Sequence, residues 1–361
     1  MNSTTFAPET LAASSAEQAS SPAAGSLFDR IALSLSGGGF RASAYCLGTL
    51  NVLYLLGLLD NVHMLSTASG GTLTGAFYAL RRKQGCGFEQ IYDEAYSWLE
   101  QDAILPLAIE SWDQAISGRQ ADVKLIRAFA TVYDQVLYQQ QRFGIFWTTP
   151  EPPAAPFHLQ SIIFGSTELY SGLTFRFQYA ALLPAQGFTN AYGVALPSSY
   201  YVGNGNVHIS HSDAQQLRLG DIVAASSCFP VGFEPLVLPD DFMAAANTGG
   251  VLRGPAGGAV PARVAVVDGG VYDNQGIESL LLANQRNHDY CRAKEFRQAA
   301  LSAEQQALLK PTTLFLVADV DAASTGLYDA SKPIAKPGSQ ASLRQLLGYA
   351  RWTVLGLLLA G

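Results

Sequence analysis

Twice near its amino end the chain passes from a short apolar run, through glycines, into a helical pattern, and that repetition confines it to folds in which strands and helices alternate. Ile31-Ala-Leu-Ser-Leu-Ser36 reads as a buried strand that stops at Gly37, Gly38 and Gly39. From Phe40 to Leu58 the residues Ala44, Leu47, Leu50, Leu53, Tyr54 and Leu58 recur at spacings of three and four, the mark of a helix laid on a sheet. Gly57 and Asp60 close that helix. Val62-His-Met-Leu-Ser66 then reads as a second strand, running through Thr67-Ala-Ser-Gly-Gly71 into a helix from Thr72 to Arg82 with apolar Leu73, Ala76, Phe77 and Leu80. Parallel strands need crossover connections, and crossovers place helices over the sheet faces. The expected fold class is therefore α/β, a three-layer sandwich around a mainly parallel central sheet.

The stretch from Phe88 to Tyr138 is helix-rich, with Trp98, Trp112 and Tyr133, and Arg142-Phe-Gly-Ile-Phe-Trp147 leads into the breaker Pro150-Glu-Pro-Pro153. It reads as a helical cap inserted over the sheet. Ser161 to Ser166, Leu173 to Tyr179, Val207 to Ser210, Arg263 to Val267 and Thr313 to Val317 read as further strands, and the Gly/Ala-rich Asp241 to Pro261 as a surface excursion. Residues 1–26, rich in Ser, Ala and Thr, are expected to form a disordered leader. One large domain then covers 27–325, and 326–361 form a C-terminal extension. The chain halts at Leu357-Leu-Leu-Ala-Gly361 inside an apolar run, as a fragment of a longer protein would, or a tail that docks as a terminal helix.

Composition narrows the function classes. Of 361 residues 48% are apolar and only 14% charged, against ~25% charged in ordinary soluble domains, so the chain packs a large core rather than staying disordered. A formal charge of −7 and the lack of any dense Lys/Arg run exclude a nucleic-acid partner, because counterion release needs clustered positive charge. The four cysteines, Cys46, Cys86, Cys228 and Cys291, form no CxxC pair and read as reduced and mostly buried. The amino end lacks the charged and apolar regions of a secretory signal, and Arg344 and Arg351 interrupt the longest apolar stretch. A cytoplasmic location is expected.

Three turns share one design, in which a buried strand ends, small residues follow and a helix or loop begins. The carboxyl ends of parallel strands share one edge, so such turns converge although distant in sequence. In the first, glycines 37 to 39 leave backbone N–H groups unobstructed and the following helix adds the positive end of its dipole, a cradle for an anion. Gly37-x-Gly39-x-x-Ala42 also satisfies the dinucleotide fingerprint, but that reading needs an acid ending the second strand, and Asp60 precedes the strand instead. In the second turn Ser69 stands between strand and helix with Gly70 and Gly71 behind it, the setting of a nucleophile elbow, although a lone serine there is ordinarily an N-cap. In the third, Asp268 directly follows an apolar run, where a carboxylate is costly without partners; a turn-forming aspartate is the plain alternative. Asp273, the competing acid, more naturally braces the loop. Serine hydrolysis needs a nucleophile, a base and oxyanion donors, and Ser69, Asp268 and the amides of Gly37, Gly38 and Gly39 supply all three. His63, His158, His208, His211 and His288 fall where structural or solvated roles are the rule, which favours a Ser–Asp dyad over a triad. No metal or cofactor is required.

These residues resemble the patatin-like phospholipase family, which shares its catalytic arrangement with the cytosolic phospholipases of the A2 type. The likeness lies in Gly37-Gly-Gly-Phe-Arg41, Ala68-Ser-Gly-Gly71 and Asp268-Gly-Gly270, with Ala225-Ser-Ser-Cys-Phe-Pro230 and Phe233-Glu-Pro235 as a small-residue segment ahead of the aspartate, and it covers about Ile31 to Val320. The family elbow is usually GxSxG, whereas Thr67 stands two residues before this serine. The resemblance implies a patatin-like acyl hydrolase cleaving lipid or acyl-ester substrates without a cofactor. Ser69 would attack the ester carbonyl, Asp268 would take the proton and later activate water, and the glycine amides would hold the oxyanion. Arg41 matches the arginine of the family's glycine-rich motif, and either aids catalysis or pairs with a carboxylate. Phe143 to Trp147 and the apolar C-terminus with Trp352 either rest against lipid, as peripheral membrane contact, or complete a core. A dinucleotide-binding oxidoreductase and a non-catalytic scaffold are the rival readings.

Overall fold

Strands β1 (Ile31–Leu35) and β2 (Val62–Ala68) run parallel to each other, and β3 (Ser161–Glu168) runs parallel to β2. In the computed structural model, which describes residues 27–101, 103–118, 123–148, 157–184, 187–196, 202–242 and 263–320, these strands are the centre of an eight-stranded sheet. Strand β4 (Thr174–Ala180) returns antiparallel to β3, β5 (Phe188–Thr189) and β6 (Ala195–Leu196) make a separate small hairpin, and β7 (Val202–Gly203) pairs antiparallel with β4. Strands β8 (Leu236–Leu238) and β9 (Val264–Asp268) pair antiparallel, β9 joins β3, and β10 (Leu314–Ala318) lies parallel to β1 at the edge. Tracing these pairings, only β4 and β9 oppose the direction the others share. The sheet is mixed and mostly parallel, as expected.

Period-two alternation sends the strand side chains to two different layers. Leu33, Leu35, Leu65, Ile162 and Phe164 join the main core, which α1 (Gly39–Leu55) and α2 (Gly70–Lys83) cover. Burial of each such side chain contributes roughly 1.5–3 kcal/mol. On the other face Ala32, Met64 and Ile163 meet Leu280 and Ala283 of a long helix spanning Ile277–Phe296. The helix-rich stretch forms α3 (Phe88–Gln101), α4 (Ile104–Ser117) and α5 (Leu125–Val132). It packs on α1, α2 and, beyond α6 (His211–Gln216), on α7 (Leu219–Ser226). Completing the order are α8 (Gly270–Asp273), the long helix as α9, and α10 (Ala303–Leu309) packed against α9.

Two expectations change, and one open alternative is narrowed. Val207 to Ser210 is no strand; His208 makes one isolated bridge to Gly203, and the pairing belongs to Val202 and Gly203. Phe143 to Trp147 is a 3-10 turn, and of its two readings the core one holds for Phe143 and Phe146, which are fully buried among Phe164, Phe157 and Tyr179. Asp241 and Phe242 open the expected surface excursion, yet both are buried, with Asp241 ion-paired to Lys124 at 2.5 Å. The remainder of that excursion, the Pro150 breaker, the leader and the C-terminal extension lie outside the described residues.

Candidate active site

The site lies where β2 and β9 meet end to end. Strand β3 overshoots β2: Ala68 stands beside Gly165, and Ser166, Thr167 and Glu168 continue beyond it. Strand β4 occupies one edge of β3 from Ser161 to Thr167, so β9 takes the other edge where β2 leaves off, with Asp268 opposite Ser166. Strand β9 runs against β2, not beside it on a shared carboxyl edge as a parallel arrangement would have placed it. The two chain ends therefore point at each other across one register step, which brings Ser69 Oγ to donate to Asp268 Oδ2 at 2.6 Å although 199 residues separate them.

Ser69 has φ 49 and ψ −122, a conformation costing on the order of 1–3 kcal/mol for a side-chain-bearing residue. The surroundings hold the turn in this shape. A Cβ on Gly70 would overlap the Gly39 carbonyl, so only glycine lets the first turn pass this close behind the elbow. Thr67, the departure from the family elbow, is accommodated. Its methyl faces Gly75, where a Cβ would sit 2.5 Å away, and its hydroxyl meets Thr72 Oγ1 at 2.8 Å. The Ser69 N–H donates to Ser226 Oγ at 3.0 Å.

Asp268 is 3% exposed and Ser69 8%. Burial pushes the Asp268 carboxyl above the ordinary carboxylate range, and the donors on its two oxygens, Ser69 Oγ on Oδ2 and the Gly270 N–H on Oδ1, only partly oppose this. A carboxylate so placed is a stronger proton acceptor than one in water. Asp273 accepts the Ser279 N–H at 3.1 Å, bracing the loop.

The glycine turn is less uniform than its sequence suggests. The Gly37 N–H donates to the Asn274 carbonyl at 2.9 Å, so it is spent on the third turn. Gly38, at φ 138, is the N-cap of α1, and among the described residues neither its N–H nor that of Gly39 has an acceptor. The Gly39 backbone lies directly against Gly70 behind the elbow. Arg41 is exposed on the first turn of α1. Asp60 pairs with Arg82 at 2.6 Å ahead of β2, away from the glycine turn, and so holds no position for a ribose.

Among the described residues no histidine hydrogen-bonds to Ser69 or Asp268. His63 is tied to Arg30 and Thr312, and His158 Nε2 lies 2.9 Å from the Tyr78 hydroxyl. Two contributors carried no individual signal in the sequence. Ser226 was visible only as part of the small-residue segment, and Asn274 only as the end of the third turn. Near Asn274 a Cβ on Gly270 would fall 2.6 Å from its Oδ1, which packs its amide against the Asp268 turn.

A family model described as patatin-like phospholipase matches residues 33–281. No curated protein matches the chain. Among matching solved structures is human GIVD cytosolic phospholipase A2 in complex with methyl gamma-linolenyl fluorophosphonate inhibitor and terbium chloride, 20% identical with a TM-score of 0.32; the match covers 56% of this chain and 30% of that one. The matched part is thus under a third of that enzyme's length. No helix among the described residues is long and apolar enough to cross a membrane.

Proposed function

The chain belongs to the patatin-like phospholipase family, and from that premise we propose that it is a serine acyl hydrolase that cleaves the carboxylic ester bonds of lipids, in the manner of a phospholipase A, through a Ser69–Asp268 dyad. The carrying observation is the 2.6 Å hydrogen bond from Ser69 Oγ to Asp268 Oδ2 between two nearly buried side chains. As Oγ attacks the ester carbonyl, its proton passes to Oδ2 and negative charge builds on the carbonyl oxygen. The Gly38 and Gly39 N–H groups meet that charge, aided by the α1 dipole; one such donor is worth about 2.7–4 kcal/mol. Collapse breaks the bond to the alcohol oxygen, which leaves with the proton from Asp268, and Ser69 stays acylated. Asp268 then draws a proton from water, the hydroxide adds to the acyl carbon, and the carboxylic acid departs as Ser69 recovers its proton.

The lipid substrate is inferred from the family. The four free thiols fit a cytoplasmic place of action. Hydrolysis of short-chain p-nitrophenyl esters and of phosphatidylcholine vesicles by the purified protein, with Ser69→Ala alongside, tests the proposal. Wild-type turnover that vanishes in a folded Ser69→Ala variant is expected. Turnover that survives the substitution would remove the dyad.

A further inference from the structure

We propose that Ser226 is a positioning residue that locks the nucleophile and the base in register, an inference resting on the hydrolase reading above. Ser226 ends α7, wholly buried. Its hydroxyl donates to the Gly165 carbonyl at 2.6 Å, accepts the Ser69 N–H at 3.0 Å and meets the Thr72 hydroxyl at 2.7 Å. A serine hydroxyl has one proton, and here it goes to Gly165. Thr72 must therefore donate to Ser226, and the Thr67 hydroxyl, 2.8 Å from Thr72 Oγ1 and 3.3 Å from the Ile163 carbonyl, shares its one proton between those two acceptors. The result is a directed hydroxyl relay from Thr72 of α2, through Ser226 of α7, to the Gly165 carbonyl of β3.

The same helix end also holds the base. The Ser226 carbonyl accepts the Gly269 N–H at 3.0 Å and the Cys228 carbonyl accepts the Asp268 N–H at 2.9 Å. One short segment thus grips the peptide of Ser69 by its side chain and the peptides of Asp268 and Gly269 by its carbonyls. It does so beside Gly165, at the register step where β2 and β9 both end. No ladder joins β2 to β9, since they meet end to end. The cross-links through Ser226 supply what a ladder would have supplied, and they oppose relaxation of the strained Ser69 backbone. They also commit the Ser69 N–H, which leaves oxyanion binding to Gly38 and Gly39.

Ser226→Ala tests this, assayed on a monomeric p-nitrophenyl ester. A displacement near 1 Å at a reacting group costs roughly 100-fold in rate, so kcat is expected to fall roughly 10- to 100-fold while KM stays within about twofold. Fluorophosphonate labelling of Ser69, measured per folded molecule, should slow by the same factor. The acid limb of the rate profile should move to higher pH, because a nucleophile displaced from its register loosens the Ser69 Oγ–Asp268 bond, one of the contacts that lower the Asp268 proton affinity. Ser226→Cys, which keeps the shape and a weak acceptor, should recover part of kcat, and it serves as the measured variant if the alanine protein does not fold. Unchanged kcat, labelling rate and acid limb in a folded Ser226 variant would overturn the assignment, showing a hydroxyl that only packs. Activity surviving in Ser69→Ala would instead overturn the hydrolase reading itself.

Discussion

The two ends of the parallel strands each bury an ionisable group, and they treat it in opposite ways. At the amino end His63 lies between Arg30, whose Nη2 donates to Nδ1 at 3.0 Å, and Thr312, 3.2 Å from Nε2. Burial and the neighbouring guanidinium drive its pKa down to about 3, so the ring is neutral and both nitrogens are used. At the carboxyl end Asp268 is just as deeply buried, but among the described residues no cation pairs with it, and burial drives its proton affinity up. The first end is settled with respect to protons at neutral pH. The second holds its carboxylate at a cost in stability, and in the proposed mechanism that cost is what makes it basic enough to draw a proton from serine. On the proposed reading the raised proton affinity of Asp268 serves proton transfer, whereas the lowered one of His63 accompanies a ring whose two nitrogens are both engaged in packing contacts.

The sharpest way to break this contrast is Asp268→Asn. Its amide keeps the Gly270 contact and can donate to Ser69, so geometry survives while the base is lost. Ester turnover should drop about 100- to 10,000-fold. Stability should not drop with it. Because the folded pKa of Asp268 lies above the unfolded value, the native state binds the extra proton, and stability falls as pH rises through that window. Asparagine removes the penalty, so the melting temperature at neutral pH should equal or exceed that of the wild type, by calorimetry. A large decrease would mean that the carboxylate is structural.

A smaller effect is expected at the cradle. Gly39 has φ 65 and open space where a Cβ would stand, so Gly39→Ala strains the backbone by about 1–2 kcal/mol without a clash. Tilting one oxyanion donor should lower kcat by roughly 10- to 100-fold with KM little changed. Equal kcat in the folded variant would take that amide out of the site. The pH profile of kcat/KM should fall on acidification at a pH above the ordinary carboxylate range, following Asp268. The smallest change belongs to His63→Gln, for which no loss of turnover is expected. Since the folded pKa of His63 lies below the unfolded ~6.5, the unfolded chain gains its proton first, and stability falls as pH drops from about 6.5 towards 3. Denaturant titrations across that range should show a shallower acid decline in the variant.

Much of the catalytic edge was legible because its chemistry is local. A strand, a run of glycines and a helix announce a turn with exposed amides, and Ser69 and Asp268 each follow an apolar run directly. The direction of β9 was not legible, because its side-chain period is the same whichever way a strand pairs. Nor was the use of the Gly37 N–H, which depends on an Asn274 carbonyl brought in by a distant segment. Val207 to Ser210 alternates like a strand, but the real pairing there went to Val202 and Gly203 through a tight return at Asn204, whose side chain accepts the Asn206 and Val207 N–H groups. Ser226 illustrates the general gap: a buried serine reads like any other small residue until three partners from three elements surround it.

Fluorophosphonate labelling of the purified protein followed by peptide mapping measures the consequence of the Ser69–Asp268 contact most directly. A single adduct is predicted, on Ser69, forming quickly at neutral pH, slowing as Asp268 takes up a proton, and nearly absent in Asp268→Asn. An adduct on another residue, or a folded protein whose Ser69 stays unmodified at neutral pH, would contradict it.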